Sequence, residues 1–450
     1  MKKEWLLTLG SAIITVVIAL ALVRWIAPGL LGYAPDQQLV RVSEEVPNFY
    51  ENIFRDDDYN TSEFILNDPQ LVIRAKPLYP DTVAMGPNDV LGFRNKGVPN
   101  RATIVVIGDS QTYGNNARLE ENWPSHMQQT LFGAAPENVY NMSVGGWGGV
   151  NYLRILDSAL RFNPQVIVVA YYSGNDAYTD FRNTYSIDEL SYLRTDPSLS
   201  SNDLPEVVEL RSDQLYPITF EDGVETIFTP QYRFAPNDRS DPAILAGYDI
   251  MAATAREITQ IALEKNIRPV FTIIPTKEYV YQEKIAAEPS ATSNAAYQQL
   301  IRDESLNIEE LKEELKSIEG ALYIDVAQAL MTAALTPEVL YPPNVNGHPL
   351  SRGYQVIGET IASAIADENL VAPRRGLHGL VLGDQVLQFM LLTNDGMWTL
   401  ESRNIATENG WAIDNIPRLG VDEITNVPYL GVLEEVDPER YGPEGSLINN

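Results

Sequence analysis

The chain has no cysteine in its 450 residues. Disulfides, thiolate catalysis, zinc ribbons and iron–sulfur clusters are excluded together. Histidine is nearly as scarce, with three in all, which leaves little for a multi-histidine metal centre. Positive charge is short as well: 32 lysines and arginines stand against 61 aspartates and glutamates, a formal net charge of −29. A surface of that sign repels a phosphate backbone, so no nucleic-acid partner is expected. What remains is a globular composition, 44% hydrophobic and 21% charged. The length suits a sizeable core and about three domain-sized units.

Long apolar runs are missing too, with one exception. Leu6 to Val23 carries no charge, follows Lys2 and Lys3, and precedes Arg24 and Trp25. At about 1.5 Å per residue it just spans a thin hydrocarbon core, and the two lysines favour a cytoplasmic N-terminus. Residues 1–30 are therefore expected to form a transmembrane anchor, with the rest of the chain extracytoplasmic. The competing reading is a cleaved signal peptide, for which Ala19 and Ala21 mimic a cleavage site inside the apolar run.

Residues 31–100 read as an irregular stem rich in Pro, Asp and Asn, with a short strand at Gly92-Phe93-Arg94-Asn95 leading into the main domain. From 101 to 370, strands and helices alternate. Strands are expected at Thr103–Ile107, Val139–Val144, Val166–Tyr171, Pro269–Ile274 and Leu322–Val326. Helices are expected from Asn122, around Leu153, Leu156 and Leu160, over 243–265 and 296–318, and from Ser351. This alternation predicts an α/β fold of three layers, α/β/α, around a mostly parallel, flavodoxin-like sheet. Residues 180–240 break the rhythm and read as an insertion. They hold a β-hairpin, Ile218–Phe220 and Val224–Phe228 around Glu221-Asp222-Gly223. Residues 371–450 read as a C-terminal β-rich extension: Leu380–Leu392, a turn at Asn394-Asp395-Gly396, Met397–Leu400, and a loop-like acidic tail over the last thirty residues.

Four polar segments follow the strands or precede the last helix: Gly108-Asp109-Ser110, Gly145-Gly146, Ser173-Gly174-Asn175-Asp176 and Asn346-Gly347-His348. Ligands of an open parallel sheet bind outside the carboxyl ends of its strands, so the four are expected at one crevice. A serine hydroxyl needs a base to become a nucleophile, and His348 is suited to take the proton of Ser110. The oxyanion formed by attack on an ester needs fixed donors. The backbone N–H groups of Ser110 and Gly146 and the side-chain amide of Asn175 would supply three.

In these residues the chain resembles the SGNH/GDSL hydrolase superfamily. Ser110, Gly146, Asn175 and His348 match its four blocks in order, over residues 101–370. Ile274-Pro275-Thr276-Lys277, Tyr281 and the anchor also look like the alginate O-acetyltransferase-like, exopolysaccharide-modifying branch. The resemblance implies a serine esterase or O-acyltransferase acting through an acyl-enzyme on an acylated carbohydrate, such as the O-acetyl groups of a polysaccharide, without a cofactor. One departure stands out. The family usually places an aspartate two or three residues before the histidine, and here Val345 and Asn346 stand there. In one serine protease an Asp-to-Asn change at the equivalent role cost about 10,000-fold. Three readings follow: a Ser–His dyad assisted by Asn346, a carboxylate supplied from elsewhere, or a weakened enzyme. Asp325 is a candidate carboxylate, with a structural role favoured.

Other features carry blander readings. Asp109 and Asp176 are expected to brace loops. His126 reads as a surface or structural histidine, and His378 falls outside the matched core. Lys277 either binds an anionic substrate group or forms a salt bridge. Tyr178, Tyr185, Tyr192, Tyr216 and Tyr232 either build a wall for sugar stacking or pack the insertion. Two alternatives stand beside the esterase. A metallophosphoesterase needs two metals about 3.5–4 Å apart, for which the histidines are too few. The other is a non-catalytic glycan-binding or assembly protein on a decayed scaffold.

Overall fold

A computed structural model describes residues 64–81, 85–99, 101–133, 138–205, 210–288 and 294–371. Beyond these it describes short segments, 379–383, 389–393, 396–402, 404–405, 418–419 and 429–433. The Leu6–Val23 run, His378 and the Asn394-Asp395 turn lie outside the described residues. Among the described residues no helix is long and apolar enough to cross a membrane.

The chain opens with a hairpin, β1 (Ile65–Asp68) and β2 (Val72–Ala75), paired antiparallel from Ile65↔Ala75 to Asp68↔Val72. The Asp68 carboxylate closes its turn by accepting the N–H groups of Gln70 and Leu71, each at 2.8 Å. Next come β3 (Ile104–Gly108), the one-turn helix α1 (Ser110–Tyr113) and α2 (Trp123–Phe132). Asn122 caps α2 by accepting the Ser125 N–H at 2.9 Å, with Pro124 in the first turn, where its missing N–H costs nothing. β4 (Val139–Ser143), α3 (Gly149–Leu160), β5 (Val166–Tyr172) and α4 (Asp176–Ser186) follow. The insertion supplies the hairpin β6 (Tyr216–Thr219) and β7 (Glu225–Phe228) and the short α5 (Pro230–Phe234). The core resumes with α6 (Pro242–Glu264), β8 (Arg268–Ile274), α7 (Lys277–Val280), α8 (Gln282–Ala287), α9 (Ala295–Ser317), β9 (Leu322–Tyr323), α10 (Val326–Ala334) and α11 (Ser351–Asp367).

The central sheet has the order β4-β3-β5-β8-β9 and every pairing in it is parallel. All five residues of β3 and all seven of β5 are buried, which is why both read as unbroken apolar runs. Successive side chains leave opposite faces of a strand. On one face Ile104, Val106, Val168 and Val270 share a core with Trp123 and Met127 of α2, Leu330 of α10, and Ile357 and Ile361 of α11. On the other face Tyr171 packs against Tyr152 of α3, with ring centroids 5.6 Å apart. Its hydroxyl donates to the Met251 carbonyl of α6 at 3.1 Å. The three-layer α/β/α architecture follows from these two covered faces.

Several expectations need correction. No strand forms at 92–95. Arg94 is instead fully buried and donates to the carbonyls of Gly86 (2.6 Å), Gly114 and Ala117 (2.7 Å). A guanidinium with five donors does there what a strand ladder would otherwise do. Part of the stretch read as stem also packs on the sheet domain: Trp147 Nε1 donates to the Ile73 carbonyl and Asn151 Nδ2 to the Leu71 carbonyl, both at 2.7 Å. Helix α4 was hidden because much of its buried face is polar, with Thr179, Asp180, Asn183 and Thr184 inside beside Phe181 and Tyr185. The strand expected over Leu322–Val326 stops at Tyr323, and Asp325 caps α10 instead. In the C-terminal region β10 (Gly379–Gly383), β11 (Phe389–Thr393), β12 (Gly396–Leu400), β13 (Arg418–Leu419) and β14 (Tyr429–Leu433) form a second five-stranded sheet. β14 lies in the tail that reads as loop.

Candidate active site

The site grows from the ends of β3, β4 and β5. Gly108 stands level with Ser143 of β4 and Ala170 of β5, so the three following loops leave the same edge of the sheet. At Gly108 a Cβ would lie 2.1 Å from Thr112 Oγ1, so the tight turn into α1 admits glycine alone. Asp109 then caps α1, its carboxylate accepting the Gln111 N–H at 2.8 Å. Ser110 is the first residue of that helix and is 1% exposed. Gly146 sits in the turn after β4 with φ +82°, a left-handed conformation natural to glycine. Asn175 directly precedes α4. It is buried, and its Oδ1 has no hydrogen-bond partner.

His348 arrives from the irregular loop between α10 and α11. Its Nε2 lies 2.8 Å from Ser110 Oγ, and its Nδ1 lies 2.8 Å from Asn346 Oδ1. Asn346 Oδ1 also accepts the backbone N–H of His348 at 3.0 Å. A backbone N–H only donates, so the amide must present its oxygen. That oxygen requires a proton on Nδ1, which leaves the lone pair of Nε2 facing the serine hydroxyl. Burial pushes the imidazole pKa down to about 3, so the ring is neutral.

The histidine loop has no ladder of its own and is held from outside. Lys277 Nζ donates to the carbonyls of Asn344 (2.6 Å) and Asn346 (3.2 Å). Gln111 Nε2 reaches the Gly347 carbonyl and Asn116 Nδ2 the His348 carbonyl, each at 3.4 Å. Lys277 is 1% exposed, and burial lowers its pKa to about 7. It therefore braces the loop, a role neither sequence reading of Lys277 anticipates. A buried guanidinium, Arg233 of α5, stands beside the same loop, its Nη2 2.6 Å from where a Cβ on Gly347 would lie.

Carboxylates underlie the nucleophile side. Asp176 accepts the Tyr152 hydroxyl at 2.9 Å and the Tyr172 N–H at 3.0 Å. Asp180 accepts the N–H groups of Gly149 (2.9 Å) and Val150 (2.8 Å) at the start of α3. Burial raises the pKa values of Asp109 and Asp180 to about 7 and that of Asp176 well above the ordinary range. Glu304 of α9, raised to about 7 for the same reason, accepts Ser173 Oγ (2.6 Å), Thr276 N (2.9 Å) and Thr276 Oγ1 (2.7 Å). The sequence marks Asp109 and Asp176 through their polar character between apolar strand and helix. It gives no such signal for Glu304, which sits in a charged helix.

Asp325 is a structural residue: it caps α10 through the Gln328 N–H at 3.2 Å and pairs with Lys312 at 3.0 Å. His126 is half-buried on α2, away from Ser110 in the chain and in the helix that packs on α11. Of the tyrosines, Tyr185 stacks on Phe181 at 4.2 Å and donates to the Asp196 carbonyl at 2.7 Å, so it packs the segment. Tyr192 is 62% exposed. Among the described residues no group of three or more metal-ligating side chains comes together.

No family model matches the chain, and no curated protein matches it in sequence. Solved structures similar to it include a protein assigned to the G-D-S-L lipolytic family from Desulfitobacterium hafniense, with 16% identity over 58% of this chain and 98% of that one, TM-score 0.32. A GDSL-like lipase from Bacteroides thetaiotaomicron shares 10% identity over 60% of this chain and 93% of its own, TM-score 0.32. A catalytic mutant of an acetylxylan esterase from Geobacillus stearothermophilus shares 11% over 62% and 99%, TM-score 0.32. At these identities and TM-scores the likenesses add no weight to the geometry of the site.

Proposed function

We propose that the chain is a serine ester hydrolase or O-acyltransferase in which Ser110 is the nucleophile, His348 the general base and Asn346 the residue that orients the imidazole. The observation that carries this reading is the unbroken relay of two 2.8 Å contacts, Ser110 Oγ to His348 Nε2 and His348 Nδ1 to Asn346 Oδ1. Ser110 Oγ attacks the ester carbonyl carbon and its proton passes to Nε2. The oxyanion is held by the N–H groups of Ser110 and Gly146 and the amide of Asn175, each such donor contributing about 100- to 1000-fold in rate. The imidazolium returns the proton to the departing alcohol oxygen, leaving an acyl-serine. Water or a sugar hydroxyl then attacks the acyl carbon and gives its proton to Nε2, which passes it to Ser110 Oγ as the acyl–oxygen bond breaks. Asn346 accepts from Nδ1–H throughout, the part an asparagine takes in Cys-His-Asn proteases.

The substrate class we propose is an O-acetylated polysaccharide met outside the cytoplasm, with the chain tethered by Leu6–Val23. The uncharged run behind two lysines supports the tether, and the resemblance read in the sequence supports the substrate. Release of p-nitrophenol from its acetate ester by the full-length chain tests the chemistry. Ser110→Ala and His348→Ala are each expected to lose at least about 10,000-fold in kcat while keeping the native melting transition. Equal rates for the wild type and Ser110→Ala would favour the non-catalytic alternative.

A further inference from the structure

We infer that Lys277 is a positioning residue of this site, a buried clamp that fixes the turn bearing Asn346 and through it the angle of the His348 ring. The inference rests on the Ser–His reading and goes beyond it. The geometry is specific. Lys277 Nζ bridges the carbonyls of Asn344 and Asn346, on either side of Val345. Asn346 in turn spends its side-chain oxygen on both the ring Nδ1 and the backbone N–H of His348. The carbonyl and the side chain of one residue thus connect the ammonium to the imidazole.

Lys277 is itself held in place. It opens α7, and the preceding Thr276 gives its N–H and hydroxyl to Glu304, which also takes the hydroxyl of Ser173. Ser173 lies two residues before Asn175, so one buried network joins the proposed oxyanion loop to the base loop. A carboxylate beside the imidazole would hold the ring by charge as well as by hydrogen bond. The neutral Asn346 holds it by hydrogen bond alone, so placement of its backbone matters more here. A misplacement of about 1 Å in a catalytic group costs about 100-fold.

The test is a double-mutant cycle on p-nitrophenyl acetate hydrolysis by the full-length chain: wild type, Lys277→Met, Asn346→Asp and the pair, with Ser110→Ala as control. Lys277→Met is expected to lower kcat about 100-fold with KM within about threefold, because the base moves and the substrate contacts do not. In the Asn346→Asp background the same change is expected to cost about tenfold or less, since a carboxylate then holds the imidazolium directly. An equal loss in both backgrounds would leave Lys277 a merely structural lysine. A loss confined to KM, or one under about threefold, would also overturn the inference. Where Lys277→Met yields too little folded chain, Lys277→Gln, which is polar but shorter and uncharged, enters the same cycle with the same outcomes. An active Ser110→Ala would instead remove the Ser–His reading itself. An inactive Ser110→Ala beside an unimpaired Lys277→Met would remove only the clamp.

Discussion

The nucleophile side of the site is floored with buried acids, and the histidine side is held by buried cations. Asp109, Asp176 and Asp180 stand under the loops after β3 and β5, whereas Lys277 and Arg233 stand at the loop before α11. The difference follows from what the backbone offers. Helices α1 and α3 begin at the sheet edge and present N–H groups that need acceptors, which carboxylates supply. The loop between α10 and α11 has no regular structure and presents carbonyls that need donors, which Lys277 and two side-chain amides supply. Buried backbone groups are almost always paired, so the local backbone selects the sign of the buried charge.

The largest test of that contrast is Asp180→Ala. It strands the N–H groups of Gly149 and Val150 inside the protein, and a loss of about 3 kcal/mol in unfolding free energy is expected by urea titration. Lys277→Met strands two carbonyls, each with a second lone pair and one of them only part-buried, and about 2 kcal/mol is expected. A cost at Lys277 exceeding that at Asp180 would reverse the ranking of the two sides.

The pH dependence of stability sharpens the comparison, because the two sides titrate with opposite sign. Burial raises the pKa values of Asp180 and Glu304 to about 7, so between the ordinary carboxyl range and 7 the folded state holds protons that the unfolded state has lost. Their contribution to stability is full at the acid end of that window and falls as pH rises through it. Lys277 is lowered to about 7, so above that pH the unfolded state holds a proton that the folded state has lost, and stability climbs toward the ordinary lysine range. The urea midpoint is expected to fall from pH 5 to 7, with Asp180→Asn shallowing that limb, and Lys277→Met is expected to flatten any rise above pH 8. The smallest effect is expected away from both sides. Arg256 and Glu314 pair on the surface with both side chains about half exposed, and Arg256→Ala should cost under about 0.5 kcal/mol. A larger cost there would mean that surface pairing rivals the buried clusters.

Much of this was legible in the residues, and the exceptions share a cause. The strands β3, β5 and β8 declare themselves as apolar runs, and the polar segments after β3, β4 and β5 leave the same edge of the sheet. Ser110 at a strand end and Asn346 and His348 before the last helix come together as expected. Helix α4 stayed hidden because hydropathy is blind to a buried face that includes Thr179, Asp180 and Thr184, of which Asp180 takes the N–H groups of Gly149 and Val150. Arg94, read as part of a strand, and Lys277, read as a substrate contact or a salt bridge, were misread for a related reason. A charged residue in a sequence signals surface, and only the fold shows which carbonyls it was brought inside to meet.

The most direct test is to treat the full-length chain with a fluorophosphonate and locate the adduct by peptide mass spectrometry. Attack by Ser110 Oγ on phosphorus expels fluoride and leaves a stable phosphonyl-serine. A single adduct on the peptide containing Ser110, formed by the wild type and absent in His348→Ala, is the predicted result. An adduct on a different serine, or ester hydrolysis that continues with Ser110 unmodified, would contradict the account.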